Sequence, residues 1–156
     1  MEIVFLLTGP TDDGPMLDLM QRYELRLKHY HPYRRLELKS IKKGSDDRAQ
    51  LKTAEAKAQL GALQPGDYLV LLDEKGALYT SRSWSDQLQK WMNTGPKRLV
   101  FCVGGAFGFD ASIESRAQAL LSLSPMTLSH QLIRPVFLEQ LYRGLSLLKG
   151  EPYHHD

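Results

Sequence analysis

Two runs of apolar residues constrain the fold of this chain more than any other feature of its sequence. Residues 67–73 (DYLVLLD) and Arg98–Val103 (RLVFCV) are almost continuously apolar, and glycine or proline stands near the ends of both. Such runs are typical of strands buried on both faces, as in parallel sheets that helices cover on each side. A third β-rich run, Glu2–Thr8, ends at Gly9-Pro10. The sequence therefore predicts an α/β fold, with a mostly parallel sheet flanked by helices.

The other elements follow from hydrophobic periodicity and from turn residues. Helices are predicted over residues 16–30, 46–60, 111–119 and 133–148, and strands over residues 35–41 and 120–123. A further helix is expected to begin with Ser83 as its N-cap, with Asp86 three residues later. Residues 42–45 are predicted to form an exposed loop. Because strands and helices alternate without an internal repeat or a low-complexity linker, one domain is expected.

Length, cysteine content and hydropathy narrow the class of protein. A chain of 156 residues and 17.7 kDa is long enough for one domain with a substantial core. The single cysteine, Cys102, excludes a disulfide framework and a cysteine-based zinc site. No stretch approaches the ~18 apolar residues that span a bilayer, and residues 1–8 lack the basic start and cleavage site of a signal peptide. We therefore expect a cytoplasmic protein with no membrane partner.

The distribution of charge says more than the net charge of +2. Residues 22–57 carry 11 Lys or Arg against 5 Asp or Glu, with Tyr23, Tyr30 and Tyr33 among them. Cations beside aromatic rings are the ingredients of single-stranded RNA binding. A solvated helix face followed by a basic loop has the same composition, so both interpretations stay open. The histidines of this segment have no acidic partner nearby, and no metal site is expected.

Two segments have the composition of ligand-binding loops. Gly104, Gly105 and Gly108 follow directly on the predicted strand Arg98–Val103. Ligands of α/β sheets bind at this end of the strands, and glycine lets a ligand approach the main chain. Residues 122–128 (SLSPMTL) combine small hydroxyl residues with a proline and can present main-chain groups to a ligand. Neither segment matches a dinucleotide-binding or phosphate-binding glycine motif. A tight turn and an ordinary connection also explain them, and spacing alone does not separate these interpretations.

Five motifs, in order and at similar spacing, resemble those of the RlmH family, the ribosomal RNA large-subunit methyltransferases H. They are VLLDEKG (70–76), VGGAFGFD (103–110), LSPMTLSHQLIR (123–134), LEQLYR (138–143) and GEPYHHD (150–156). The resemblance covers essentially the whole chain and implies a single SPOUT methyltransferase domain over residues 1–156. It further implies a sheet of five or six parallel strands, with residues from about 72 to 148 forming a trefoil knot around the cofactor. No periodicity predicts a knot, because chains rarely thread their own loops.

The cofactor that the resemblance implies is S-adenosylmethionine, held by three loops. The first loop follows Leu72, and the second contains Gly104 and Gly105. The third contributes Leu123, Ser124, Pro125, Met126, Thr127 and Leu128. The second and third loops coincide with the two segments that composition marks as ligand-binding loops. This agreement strengthens their interpretation as cofactor loops.

The resemblance implies transfer of a methyl group to N3 of a pseudouridine in 23S ribosomal RNA. The substrate would be the assembled 70S ribosome, and the enzyme would be a homodimer that uses no metal. Arg143 would neutralise a carbonyl oxygen or a phosphate, and Glu139, four residues earlier, would orient it. Tyr153 would stack on or orient the base, and His154 would accept a proton. Without the resemblance, a helix-surface ion pair and a frayed tail explain these four residues.

Two positions depart from the family pattern. Ser129 stands where a proline is expected before His130, and Pro135 stands where an aliphatic residue is usual. Pro135 is compatible with a helix if it lies in the first turn.

Two other functions remain possible. Because the cofactor loops do not identify the nucleotide, a SPOUT methyltransferase with another RNA target is one alternative. A non-enzymatic RNA-binding α/β module that uses residues 22–57 is the other.

Overall fold

A computed structural model describes residues 1–41, 47–153 and 155, so the loop predicted for residues 42–45 lies outside the described residues. Within the described residues five strands form one sheet: β1 (Glu2–Thr8), β2 (Tyr33–Leu38), β3 (Asp67–Ala77), β4 (Arg98–Val103) and β5 (Ala119–Leu121). Their order is β2-β1-β4-β3-β5, and every neighbouring pair is parallel. The predicted α/β fold with a parallel sheet is confirmed.

The central strands are apolar throughout because both of their faces are buried. In β1, Ile3 and Phe5 belong to the core on one face of the sheet, and Val4 and Leu6 belong to the core on the other. β3 and β4 alternate in the same way, since successive side chains of a strand point to opposite faces. The predicted burial of residues 67–73 and Arg98–Val103 on both faces is therefore confirmed.

Helices form the two outer layers of the fold. Within the described residues they are α1 (Gly14–Leu27), α2 (Arg48–Ala62), α3 (Ser81–Asn93), α4 (Ala111–Arg116) and α5 (Ile133–Leu148). α1, α3 and α5 cover one face of the sheet, where Met20, Trp84 and Phe137 join the core. α2 and α4 cover the other face through Ala56 and Ile113. None of these helices is long and apolar enough to cross a lipid bilayer.

Polar side chains fix where the helices begin. Thr80, rather than Ser83, is the N-cap of α3: its Oγ1 accepts a hydrogen bond from the Ser83 N–H at 3.2 Å. Ser83 Oγ accepts one from the Thr80 N–H at 2.9 Å, which completes a capping box. The predicted N-cap at Ser83 is therefore wrong. Pro135 is the third residue of α5, in the first turn, where its missing N–H breaks no helical hydrogen bond.

Other boundaries differ from the predicted ones by one to four residues, mostly where tertiary contacts decide. α1 and β2 each begin and end earlier than predicted, and α2 continues through Gly61 to Ala62. α4 ends at Arg116 instead of residue 119 because Ala119 already pairs with Val70 in the sheet. The bounds of β1, β4 and α5 agree with the sequence pattern.

β3 continues beyond the predicted end at residue 73 and crosses close to β5. Leu72 and Ala77 both pair with Leu121, so the residues between them bulge out of the ladder. A Cβ atom on Gly76 would lie 2.6 Å from main-chain atoms of Leu120 and Leu121, which leaves room for glycine alone. The segment expected as a cofactor loop after Leu72 is thus the bulged end of a strand. It lies beside the residues that follow β5.

Candidate active site

A cavity of about 1100 Å³ lies at the carboxyl ends of β3, β4 and β5. Its walls come from the bulged end of β3, residues 103–111, residues 121–124 and 126–130, and the beginnings of α2 and α5. This is the sheet edge at which open α/β proteins bind their ligands. The volume is slightly above the usual range for small-molecule pockets, which is about 300–1,000 Å³.

The cavity brings together most residues of the three expected cofactor loops. The predicted residues that line it are Leu72, Gly104, Gly105, Leu123, Ser124, Met126, Thr127 and Leu128. Pro125 is exposed and does not line the cavity. Leu72 is buried at the base of the cavity, whereas 78% of Met126 is exposed at its rim.

Residues 104–108, the glycine turn, form a tight reversal directly after β4. Gly105 and Gly108 pair as an antiparallel bridge, and the Gly108 N–H donates to the Gly105 carbonyl at 3.2 Å. Gly108 has φ +80, and a Cβ on Gly104 would lie 3.3 Å from the Gly108 carbonyl oxygen. Glycine is therefore required for the turn itself as well as for access to its main chain. Both interpretations of this segment, tight turn and ligand-binding loop, apply at once.

The segment of residues 122–128 is held by its own hydroxyl groups. Ser122 Oγ donates to the Ser124 carbonyl at 2.9 Å, and Ser124 Oγ accepts from the Met126 N–H at 2.9 Å. Thr127 Oγ1 donates to Glu74 Oε2 at 2.5 Å, which joins this segment to the bulge of β3. The small hydroxyl residues that marked this segment in the sequence therefore build a turn that lines the cavity.

The inner wall of the cavity packs against α2, a helix that the sequence predicts but whose part in the site no sequence pattern indicates. Glu55 is only 8% exposed and lies against Gly105, and burial raises the pKa of its carboxyl group. One turn later, Gln59 Nε2 donates to Thr8 Oγ1 at 2.8 Å, and Thr8 Oγ1 donates to the Val103 carbonyl at 2.9 Å. The signal in the sequence is a pair of polar residues, four apart, on a face that must pack on the sheet.

A buried arginine joins the first strand to the start of α5. Arg134 is fully buried, and its guanidinium donates to the Thr8 carbonyl at 3.1 Å, to Thr11 Oγ1 at 2.9 Å and to the His130 carbonyl at 2.9 Å. His130 lines the cavity. Burial, and then the charge of Arg134, lowers the pKa of His130. A neutral imidazole at this wall follows.

Three of the four expected catalytic residues meet on α5 and the chain after it; we refer to Glu139, Arg143 and Tyr153 as the α5 cluster. Glu139 Oε1 accepts hydrogen bonds from Arg143 Nη2 and, at 3.2 Å, from the Tyr153 hydroxyl. The Arg143 guanidinium lies 4.9 Å from the centre of the Tyr153 ring. The hydrogen bond to Glu139 raises the pKa of Arg143, so this arginine stays charged. His154 lies outside the described residues.

Further tyrosines hold Tyr153 against the helices. The rings of Tyr142 and Tyr153 meet edge to face with centres 4.6 Å apart, and the Tyr23 and Tyr153 hydroxyls are 3.2 Å apart. Burial, and then the hydrogen bond to Tyr23, raises the pKa of Tyr153. The phenol is therefore neutral near pH 7, where it can donate a hydrogen bond but cannot accept a proton as a base.

Comparisons with known proteins agree with this fold and site. A family model described as "Predicted SPOUT methyltransferase" matches residues 1–154. The chain belongs to the SPOUT methyltransferase family. It is 47% identical over 159 residues to the ribosomal RNA large subunit methyltransferase H of Parabacteroides distasonis, with both chains covered completely. Proteins of the same name from Christiangramia forsetii and Flavobacterium psychrophilum are 43% and 42% identical, with at least 99% of each chain covered. The family expected from the five motifs is confirmed.

The residues that line the cavity fit S-adenosylmethionine, the cofactor that the SPOUT resemblance implies. Leu72, Leu123 and Ile133 offer an apolar surface for an adenine ring. The glycine turn exposes main chain at the cavity, and a side chain on Gly105 would meet the Glu55 carboxyl group. Asp73 and Glu74 at the same cavity supply carboxylates for a cationic amino-acid portion.

Within one chain of this SPOUT protein, the α5 cluster does not line the cavity. The cavity ends at Ile133, in the first turn of α5, and Arg143 lies ten residues further along the helix. At 1.5 Å per residue, this is a rise of about 15 Å. The structure therefore places the cavity and the α5 cluster in two separate regions of the same chain.

Proposed function

We propose that this protein transfers a methyl group from S-adenosylmethionine to N3 of a pseudouridine in 23S ribosomal RNA, on the assembled ribosome. The observation that carries the proposal is the cavity at the carboxyl end of the sheet, which the expected cofactor loops line. Full-length similarity to proteins named ribosomal RNA large subunit methyltransferase H supports the choice of RNA. The proposed reaction needs no metal ion. A ribosomal substrate places the protein in the cytoplasm.

The cavity residues act mainly by alignment. When bound, S-adenosylmethionine supplies an electrophilic methyl group on a sulfonium. Leu72 and Leu123 would hold the cofactor in the cavity and keep water away from it, and the main chain of the glycine turn would help to orient it. The imide N3–H of the base is a poor nucleophile until its proton leaves. The protein must therefore stabilise negative charge on the base as the proton departs.

The α5 cluster supplies the group for that task. Arg143 places a permanent positive charge opposite a carbonyl oxygen of the base or a neighbouring phosphate. Glu139 holds the guanidinium, and Tyr153 hydrogen-bonds to the same carboxylate oxygen while its ring faces the arginine. A neutral Tyr153 orients and stacks on the base. His154 is the proposed proton acceptor, because an imidazole is the side chain that most readily exchanges a proton near pH 7.

A homodimer brings the two regions together in this proposal. In one chain the α5 cluster is remote from the cavity, so Arg143 and Tyr153 of one subunit act at the cavity of the other. Exposed apolar side chains beside the cavity support this arrangement: 78% of Met126 and 42% of Leu132 are exposed in the single chain. A symmetric pair presents two equivalent sites and two basic surfaces to the ribosome.

We also propose one domain over residues 1–156, with residues from about 72 to 148 forming the trefoil knot of the family. The close crossing at Gly76 supports this topology. There the bulged end of β3 lies against the main chain of Leu120 and Leu121, and the Ser122 N–H donates to the Ala77 carbonyl at 2.9 Å. A knot holds the three cofactor loops against one another without needing a separate domain.

The test is methyl transfer in vitro with radiolabelled S-adenosylmethionine and purified 70S ribosomes. One batch of ribosomes carries the target pseudouridine, and the matched batch comes from cells that lack the corresponding pseudouridine synthase. We expect stoichiometric labelling of 23S RNA in the first batch and none in the second. Equal labelling of both batches would overturn the pseudouridine assignment and favour another RNA target. Absence of transfer to any RNA, with RNA binding retained, would favour the non-enzymatic module.

A further inference from the structure

Glu55 is a buried carboxyl group to which the proposed reaction assigns no role. It lies on the face of α2 that packs on the sheet and is 8% exposed. Burial raises the pKa of its carboxyl group, because the charged form gives up part of its hydration. A glutamate is rarely buried to this extent, and here its carboxyl end lies beside the wall of the cavity.

The carboxyl group of Glu55 occupies the place of a side chain on Gly105. A Cβ atom built on Gly105 would lie 2.7 Å from the Glu55 carboxyl carbon, and closer still to both oxygens. No backbone atom is among the nearest obstacles at this position, in contrast to Gly76. A side chain on residue 105 therefore requires the carboxyl end of Glu55 to move. The two residues form one packed unit behind the cavity wall.

Two hydrogen bonds fix the helix that carries Glu55. Thr53 Oγ1 donates to Asp110 Oδ2 at 3.0 Å, at the far end of the glycine turn. Gln59 Nε2 donates to Thr8 Oγ1 at 2.8 Å, beside the end of β4. Glu55 lies between these two anchors, so its carboxyl group cannot withdraw without a change of rotamer. The helix thus sets the position of the carboxyl group relative to the turn.

We propose that Glu55 is a positioning residue for the cofactor: its carboxyl group supports the glycine turn at Gly105 in the shape that binds S-adenosylmethionine. The inference rests on the proposed function, since it concerns the same cavity. The support is steric: the carboxyl end of Glu55 fills the space beside Gly105, so the turn cannot move into that space. Glutamine has nearly the same shape and fills the same space, so it should substitute for the glutamate.

The experiment measures the Kd for S-adenosylmethionine by calorimetry in E55A, E55Q, G105A and the E55A/G105A double variant. Asp86→Ala, which removes an exposed carboxylate from α3, is the control. We expect E55A to weaken binding about tenfold, a change of about 1.4 kcal/mol. E55Q should stay within about twofold of the wild type. G105A should match E55A, because its methyl group displaces the flexible carboxyl end, and the double variant should be no weaker than either single one.

Kinetics with ribosomes separate positioning from a purely structural role. E55A should raise KM for S-adenosylmethionine about tenfold and leave kcat at saturation unchanged, since the α5 cluster is intact. Wild-type affinity in E55A, or additive losses in the double variant, would overturn the inference. A loss in E55Q as large as that in E55A would also overturn it. If E55A fails to fold, E55Q and G105A still decide. If the wild-type protein does not bind the cofactor, either with or without ribosomes, the proposed function itself would be contradicted.

Discussion

The proposed cofactor cavity and the α5 cluster are built from different parts of the chain. The cavity lies at the ends of parallel strands that the core buries on both faces, and close approaches of the main chain at glycine residues shape it. The α5 cluster consists of side chains, Glu139, Arg143 and Tyr153, which hydrogen-bond to one another on the surface of a helix. One region is fixed by the fold, and the other by a few polar contacts that a substitution can remove singly.

This difference separates the kinds of change that each region tolerates. The cavity tolerates loss of a side chain better than the gain of an atom, because its backbone segments pass within contact distance of each other. The α5 cluster tolerates small changes of volume but depends on the identity of its charged groups. Binding of the cofactor and activation of the base should therefore respond to different mutations.

The largest expected effect is that of Arg143→Ala on catalysis. Removal of the guanidinium should lower the rate of methyl transfer by roughly 10²- to 10³-fold, as for loss of one preorganised charge-stabilising donor. The Kd for S-adenosylmethionine should stay at its wild-type value, since Arg143 does not line the cavity. Single-turnover labelling of 70S ribosomes measures the rate, and Lys90→Ala on the exposed surface of α3 is the control. Wild-type turnover in Arg143→Ala would remove this residue from the mechanism.

Mixed dimers sharpen the comparison by placing each defect in a different subunit. Gly105→Trp disrupts a cavity by displacing its glycine turn, and Arg143→Ala disables an α5 cluster, so each homodimer should be inactive. Random assortment of both chains gives one intact composite site in half of the dimers, hence roughly a quarter of wild-type activity for the mixture and roughly half for mixed dimers isolated with two purification tags. Ribosome labelling measures both activities. An inactive mixture would show that cavity and cluster act within one chain.

Gly76→Ala tests the close crossing of β3 and β5 beside the cavity, through the stability of the protein. The added methyl group meets main chain of β5 at 2.6 Å, so the bulge of β3 must move. We expect a loss of about 1–3 kcal/mol in the free energy of unfolding, as for overpacking in a core. Chemical denaturation measures the loss, and Gly14→Ala, where a Cβ meets nothing within 4 Å, is the matched control. Equal stability of the two variants would contradict the close crossing.

Tyr153→Phe should have the smallest effect. It keeps the ring beside Arg143 but loses the hydrogen bonds to Glu139 and Tyr23. The hydroxyl acts on the rate only through the position of Glu139, and a typical hydrogen bond contributes about 0.5–1.5 kcal/mol, so the rate should fall by roughly two- to tenfold. Because the pKa of Tyr153 is raised, the pH profile of transfer should keep its shape in Tyr153→Phe. If the rate of Tyr153→Phe no longer falls on the acidic or the basic side of the pH profile, Tyr153 would instead have a role as an acid or base.

The sequence predicts the buried elements well because their physics is local. Continuous apolar runs predict the bounds of β1 and β4, and apolar residues at helical spacing predict those of α5. The end of β3 escapes prediction, since its pairing depends on β5, about fifty residues later in the chain. Thr80 and Ser83 both suit an N-cap, and only the fold decides between them.

The residues of the candidate site differ in how far the sequence predicts them. Glycine and hydroxyl residues marked two cofactor segments from composition, whereas Leu72 and the α5 cluster came from the family resemblance alone. Glu55 was missed because a glutamate in a helix is usually solvated. Its burial follows from the packing of α2 on the sheet, and no local pattern contains that information.

The most direct test of the division between the two regions is titration calorimetry with S-adenosylmethionine on three proteins. The wild type and Arg143→Ala should bind with equal affinity, and Gly105→Trp should not bind, because an indole at residue 105 would meet Glu55 and displace the glycine turn that lines the cavity. S-adenosylhomocysteine should give the same pattern. Saturable binding to Gly105→Trp at wild-type affinity would contradict the assignment of the cavity as the cofactor site.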